Sequence, residues 1–429
     1  MKIIKKYGLT MTLTIAVIIS FVLSIVLWIN PAYEHVKRSH NGAARSNLIS
    51  RPLSYTYAPT QAIQTSKNHN QGILTSSSVN IISEIVDHLR YERVTHLKRI
   101  SHGSVDRYLR YVNRPRSLAL NYQDDITTPI LNSVVKGGLS RLPNRRFDRL
   151  VIPLNNSHYF YLMRDHGHQV YKVSAWLKSF KKLRQIIDSN HHQIRVKVKL
   201  HHDQPFISYP QSIQMPQYDY LINRQSRDYY VTHLLNGTQR ISRTARRGRT
   251  IYSNGSDRRL QFGKYRDVKY INDRSIRKTH GLNQTLYDSY HSVLPLNLSL
   301  NGVHYFGYSP HRHSVLYRRF VEGFPIFNQT QFGILKVAHD NGSLVFNYSL
   351  NSLQIPIPNN RKPVRLPNSQ QVLSTLRAYG YHPDKVQALE IGYKWQSAKT
   401  SEILANLVPE WFIKYNHRWI NYNQIKAEK

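Results

Sequence analysis

From Tyr7 to Ile29 the chain carries no charged residue, and the stretch TLTIAVIISFVLSIVLWI within it is almost wholly apolar. Wound as an α-helix at about 1.5 Å per residue it is about 33 Å long, which predicts a membrane span. A cleavable leader has an apolar core of about 7 to 15 residues before a small-residue cleavage site. This run is longer and leaves through Trp28, Asn30 and Pro31, so an uncleaved anchor is expected. Lys2, Lys5 and Lys6 flank it on one side and Lys37, Arg38 and Arg45 on the other, so charge counting is close to a tie. The short leading tail holds no acid, and long domains translocate largely regardless of charge. A single-pass cell-membrane protein is therefore expected, with its N-terminus cytoplasmic and residues 31–429 extracytoplasmic.

Within the span Gly8, Thr12, Ala16, Ser20 and Ser24 recur every fourth residue. That spacing puts small side chains along one slowly drifting helix face, where a second membrane helix could approach closely. The stripe is either a partner-binding face or the ordinary scatter of small residues in membrane helices.

From Asn30 to Ser78, Ser, Asn, Thr, Gln and Pro prevail with little apolar period, as in NHNQGILTSSS, and a loosely ordered stalk is expected over 31–78. VNIISEIVDHLRYERVTHLKRI then repeats apolar residues at Ile82, Ile85, Val86, Leu89, Val94 and Leu97, predicting one amphipathic helix or two short ones. FDRLVIPL and HYFYLM read as strands, RDHGHQ as a turn into VYKVSAWL, KSFKKLRQIIDSN as a helix, and IRVKVKL as an alternating strand. ILKVA and LVFNYSL read as a hairpin through Asp340-Asn341-Gly342. NSQQVLSTLRAYG reads as a helix capped by Asn368 or Ser369 and ended by Gly380. ALEIGYKW and WFIKY supply two more strands, with Leu389, Ile391, Tyr393 and Trp395 on one face and Trp411, Ile413 and Tyr415 on the neighbouring strand, as core packing requires.

HLLNG at 233–237 is followed by SNGSDRRLQF with its Asn254-Gly255 turn, and FVEG at 320–323 is followed by DNGSLVFNY with Asn341-Gly342. The pattern predicts, in each copy, a helix closing on Gly, then a strand, then a hairpin. The expected fold is α+β: a tail and transmembrane helix over 1–30, the stalk, and three extracytoplasmic mixed α/β domains over 79–190, 191–290 and 291–429. The second and third share a topology.

Charge changes this picture. Sixty Lys and Arg against 24 Asp and Glu give the 429-residue chain a formal charge of +36, with RISRTARRGRT at its densest point. In a cytosolic protein such a run suggests nucleic acid, because arginines displace counterions from phosphates. Outside a membrane the available anions are lipid head groups and anionic wall polymers, so no nucleic-acid partner is expected. Arg243, Arg246, Arg247 and Arg249 are the candidate polyanion-binding residues, the plain alternative being a solvated basic loop.

The candidate chemistry is thin. Cysteine is absent, which removes disulfides, thiolate metal sites and thiol nucleophiles. Close histidines such as His166 and His168, His191 and His192, His201 and His202, or His311 and His313 lack the i, i+4 spacing of HExxH. Ser179-Phe180-Lys181-Lys182 spells SxxK, but expected late in a helix and without SDN or KTG, with only Lys278-Thr279-His280 near the latter. No GxSxG, Walker A or GxGxxG occurs. No catalytic, metal or cofactor-binding residue is therefore expected, and no enzyme activity.

YRRFVEGFPIF (317–327), the hairpin leading to NYSL (347–350), LEIGYKW (389–395) and VPEWFIKYNHRW (408–419), with the anchor and the overall length, resemble the YycH family. These proteins are membrane-anchored accessory regulators of the WalK (YycG) sensor histidine kinase of low-GC Gram-positive bacteria. The resemblance implies a non-enzymatic body of three external domains, a YycI-like partner, and contact with the kinase largely through membrane helices, in control of cell-wall metabolism. An extracytoplasmic teichoic-acid-binding protein is the alternative that the basic surface keeps open.

Overall fold

The structure is a computed structural model that describes residues 50–427 apart from 77–78, 136, 156–157, 190–191, 236–239, 247, 256, 264–265, 274–280, 328–334, 341, 398–400 and 402, together with Val17 and Ser20. The chain divides into residues 1–49 and a compact body over 50–429. Val17 and Ser20 are helical and exposed; the remainder of the expected 7–29 span lies outside the described residues. Among the described residues no helix is long and apolar enough to cross a membrane.

Two large sheets build the body, strand-rich and mixed α+β as expected. The first has nine strands in the order Gln204–Ser208, Gln193–His201, Gln71–Leu74, Gln61–Thr65, Ser117–Thr127, Arg146–Pro153, Tyr159–Arg164, Gln169–Ser174 and Leu97–Ser101. All its ladders are antiparallel. Both faces are covered. Leu118, Leu120, Leu150 and Leu162 join one apolar cluster, whereas Ile63, Ala119, Val151 and Met163 join another, so consecutive residues serve opposite cores.

The second sheet has fourteen strands. From one end run Ser242–Arg246, Arg249–Ser253, Arg258–Phe262, Asp267–Asn272, Ser343–Ser349, Leu335–Asp340 and Ser314–Val321. Phe324–Phe327, Val386–Ser397, Leu404–Tyr415, Tyr218–Arg224 and the far edge Asn351–Ile357 follow. Val303–Ser309 pairs with Ser314–Val321, and Arg418–Asn421 with Leu404–Tyr415. Phe324–Phe327 runs parallel to Val386–Ser397.

Helix Ser369–Ala378 has the expected Asn368 cap, doubled into a capping box by Gln371, and Gly380 follows at φ 81°. The expected hairpin of Leu335–Asp340 with Ser343–Ser349 turns at Gly342, φ 84°. Leu389, Ile391, Tyr393, Trp411 and Ile413 are buried in one cluster, with Trp395 and Tyr415 packed on it, as the alternation requires.

Several expectations need correction. The stalk gives way from Ser50 onward to helix Leu53–Thr56 and strands Gln61–Thr65 and Gln71–Leu74, both strands almost wholly buried. Their polar composition hides this because the amides are satisfied inside: Gln71 donates to Thr65 (3.2 Å) and Asn113 (3.0 Å) and accepts from the Val198 amide (2.8 Å). In the segment over 79–100 only Ile81–Asp87 is helical. His88 folds back onto the Glu84 carbonyl (2.9 Å), Arg93 takes φ 51°, and Leu97–Ser101 pairs with Gln169–Ser174, so sheet pairing overrides the helical period. Ser179 precedes helix Phe180–Ser189 instead of lying late in it.

The first copy of the weak repeat does begin on a helix, Arg227–Leu234. FVEG instead ends strand Ser314–Val321 and turns at Glu322-Gly323, both with positive φ. Ladders also cross the expected domain limits: Gln193–His201 pairs with Gln71–Leu74, and Asp267–Asn272 with Ser343–Ser349.

Candidate functional site

Five of the chain's 24 acids, Asp124, Asp125, Asp148, Asp165 and Glu390, gather where the two sheets meet. Strand Ser117–Thr127 loses its register with Arg146–Pro153 between Asn121 and Ile126, and this break presents Gln123, Asp124 and Asp125 in succession. Gln123 Nε2 donates to Glu390 Oε1 on strand Val386–Ser397 (2.8 Å). Asp124 accepts from the Tyr308 amide (2.8 Å), and the Asp125 carbonyl accepts from the Tyr305 hydroxyl (3.0 Å), beside a second register break between Tyr305 and Gly307. Two irregular strands thus interlock through backbone groups that regular ladders would have occupied.

Behind Asp125, whose carboxylate pairs with Arg164 at 2.6 Å, lies a deeper group. Arg149 grips Asp165 with two bonds, Nε to Oδ1 (3.0 Å) and Nη2 to Oδ2 (2.6 Å), and its Nη1 donates to Asn121 (3.2 Å). Tyr108 also donates to Asp165, and Asp148 accepts from the Asp165 amide (2.8 Å). Burial and then the charge of Asp165 hold the Asp148 carboxyl well above its usual range. Burial pushes the Glu390 carboxyl up to about 7, with the Gln123 hydrogen bond and Arg318 opposing.

Arg318 is buried between the rings of Phe306 and Phe327, at 4.5 and 4.2 Å, and donates to the Ile326 carbonyl (3.0 Å). Phe320, Phe327, Phe412 and Trp419 complete this satellite core on the side of the 386–415 strand pair opposite Ile391 and Trp411. At Gly392 an added Cβ would lie 2.6 Å from the Pro325 carbonyl and 2.7 Å from the Phe327 ring, so close strand contact excludes a side chain there.

His304 is buried and bonded through Nδ1 to the Tyr55 carbonyl (2.9 Å), and burial lowers its pKa from 6.5 to about 4. The unfolded chain therefore takes up this proton first as pH falls. The contribution is complete above about pH 6.5 and is lost toward pH 4, to the extent of about 2 to 3 kcal/mol. Chemical denaturation at pH 7.5 and at pH 4.5 is expected to show a smaller acid loss for His304→Gln than for the parent.

The candidates read from sequence fall elsewhere. Arg243 and Arg246 lie on strand Ser242–Arg246, fully exposed at the sheet's edge, and Arg249 begins the next strand directly opposite Arg246. Arg247 lies outside the described residues. Of the membrane stripe Ser20 is helical and exposed, while Gly8, Thr12, Ala16 and Ser24 lie outside the described residues. Among the described residues no group of three or more His, Asp or Glu could hold a metal. The interlock at Gln123 to Asp125 escaped sequence reasoning, although two adjacent acids inside a strand of an acid-poor chain were a usable signal.

Fold and site together define a strand-rich α+β protein whose two sheets are joined through Gln123, Asp124 and Asp125. The chain belongs to the YycH family: the descriptions "YycH protein, N-terminal domain" and "YycH protein, C-terminal domain" match residues 8–192 and 204–427. This is a regulatory family tied to the YycG (WalK) kinase system, not a known family of enzymes. The structure is similar to that of YycH from Bacillus subtilis, with a TM-score of 0.68 and 14% identity over 87% of this chain and 98% of that one. An uncharacterized protein from Eubacterium rectale scores 0.29 at 9% identity over 51% of this chain and 86% of its own. No curated protein matches.

Proposed function

We propose that the protein is a membrane-anchored, non-enzymatic regulator of a YycG/WalK-type sensor kinase. In this reading residues 7–29 cross the membrane, the body lies outside, and a YycI-like protein and the kinase pack against the Gly8 to Ser24 face. The observation that carries it is the family match, which begins at residue 8, inside the apolar run, and extends to 427. Cross-linking the full chain in its native membrane, followed by mass spectrometry, is expected to recover a sensor kinase and a second single-pass protein. Ala16→Leu with Ser20→Leu is expected to reduce that recovery severalfold; unchanged recovery removes the stripe from the interface.

A second reading rests on the edge hairpin. Arg246 faces Arg249 directly across the ladder, and like charges so placed repel. Charge on a free edge also deters strand addition, which is the structural use of such residues. Teichoic-acid binding by the full chain is expected to weaken steeply with salt, and less steeply for Arg243→Ser/Arg246→Ser/Arg249→Ser. Absent or salt-insensitive binding disposes of this reading.

A further inference from the structure

Beside the interlock a cleft of about 170 Å³ opens between the two sheets. Its floor comes from the first sheet. Ala119 and Asn121 share one face of strand Ser117–Thr127, and Asn121 lies there beside Gln61, Gln123 and Arg149; Glu390 closes the opposite side. Phe206 and the buried Tyr209 also line the cleft, together with two further amides, Gln204 and Gln387.

Asn121 is 6% exposed, and its orientation is set by the bond from Arg149 to its Oδ1. Its Nδ2 is left with no partner. A buried amide donor without an acceptor costs about 1 to 3 kcal/mol, and Asn121 is among the residues lining the cleft, so a ligand seated deeply enough to reach this amide would be strongly favoured. The lining also specifies the ligand's charge. Arg149 is already engaged on both prongs by Asp165, so it offers little to an anion, and Glu390 would repel one. A cation would meet Glu390 but also the neighbouring Arg149. What remains is a neutral molecule with groups that both donate and accept, since each of the amides does both. The volume is below the about 300 to 1,000 Å³ of pockets that enclose drug-sized molecules, and suits a single ring lying against Phe206.

We propose that this cleft binds one ring of a neutral saccharide, with Asn121 Nδ2, Gln61 and Glu390 on its hydroxyls and Phe206 against its apolar face. The inference is independent of the kinase reading, because it concerns only the body.

Saturation-transfer NMR on the detergent-solubilised full chain, with chitobiose, maltose and a neutral alanine tripeptide as separate probes, tests it. At least one disaccharide is expected to receive saturation, concentrated on one ring. A response to chitobiose alone would identify acetamido sugars as the source, and a response to both would identify hexoses in general. Phe206→Ala is expected to weaken the response about tenfold or more with thermal melting little changed, and Asn121→Leu to weaken it as much while lowering the melting temperature, because Arg149 Nη1 loses its acceptor. Gln387→Ala at the exposed rim provides a milder variant should Asn121→Leu fail to fold. No saturation of either sugar, an undiminished response in Phe206→Ala and Gln387→Ala, or a response to the tripeptide alone would each overturn the proposal.

Discussion

Replacing Arg149 with methionine is expected to destabilise the body by about 3 to 5 kcal/mol, enough to unfold a marginally stable protein. The guanidinium is buried, and it is the cation that holds Asp165 through two short bonds. Without it, Asp165 and Asp148 face each other with little to offset their repulsion, and Asn121 loses its donor. Removing one member of a buried pair costs more than removing the pair, because the charge left behind keeps its desolvation penalty. Adding Asp165→Asn to Arg149→Met is therefore expected to restore part of the loss. Guanidinium denaturation of the single and double variants measures both; equal midpoints for Arg149→Met and the parent would show that the pair contributes nothing.

Trp411→Ala is the second large effect, expected at about 3 to 5 kcal/mol. Trp411 is 1% exposed in the core of strand Leu404–Tyr415, stands edge-on to Tyr209 with centroids 5.3 Å apart, and donates its indole N–H to the Pro367 carbonyl (2.9 Å). Alanine leaves both a cavity and an orphaned carbonyl. Trp411→Phe keeps most of the volume and gives up the hydrogen bond, so a loss nearer 1 to 2 kcal/mol is expected. The difference between the two denaturation midpoints separates packing from hydrogen bonding. If Phe proves as costly as Ala, the indole N–H matters more than the ring.

The sequence disclosed most where a strand or helix is held by its own periodicity and caps. Leu389 to Trp395 and the Asn368-capped helix are such cases, because alternation and local hydrogen bonds act within a few residues. It concealed elements stabilised by distant partners. Gln61–Thr65 and Gln71–Leu74 are polar by composition and become strands only because neighbours far along the chain, Asn113 and Val198 among them, satisfy Gln71. The segment 79–100 shows the converse, since its helical period is real but its last residues complete a sheet edge. Of the candidate site, the arginine hairpin was legible as a run of charge. The Gln123 to Glu390 contact was not, because it depends on a register break and on a residue 267 positions away.

The segment that enters the body at residue 50 has a mechanical consequence. Arg51 donates to Asn301 (3.0 Å), the Tyr55 hydroxyl accepts from the Gly302 amide (2.8 Å), and Tyr57 donates to the Leu286 carbonyl (2.5 Å) and shares a bond with the Tyr317 hydroxyl (2.8 Å). A pull on the chain at residue 50 is thus borne first by Asn301 and Gly302, then by helix Leu282–Val293 and strand Ser314–Val321, before any ladder of the nine-stranded sheet is loaded. The body is held like a bracket bolted at several points instead of a bead on a string, and tension from the preceding residues arrives in the same strand that carries Arg318.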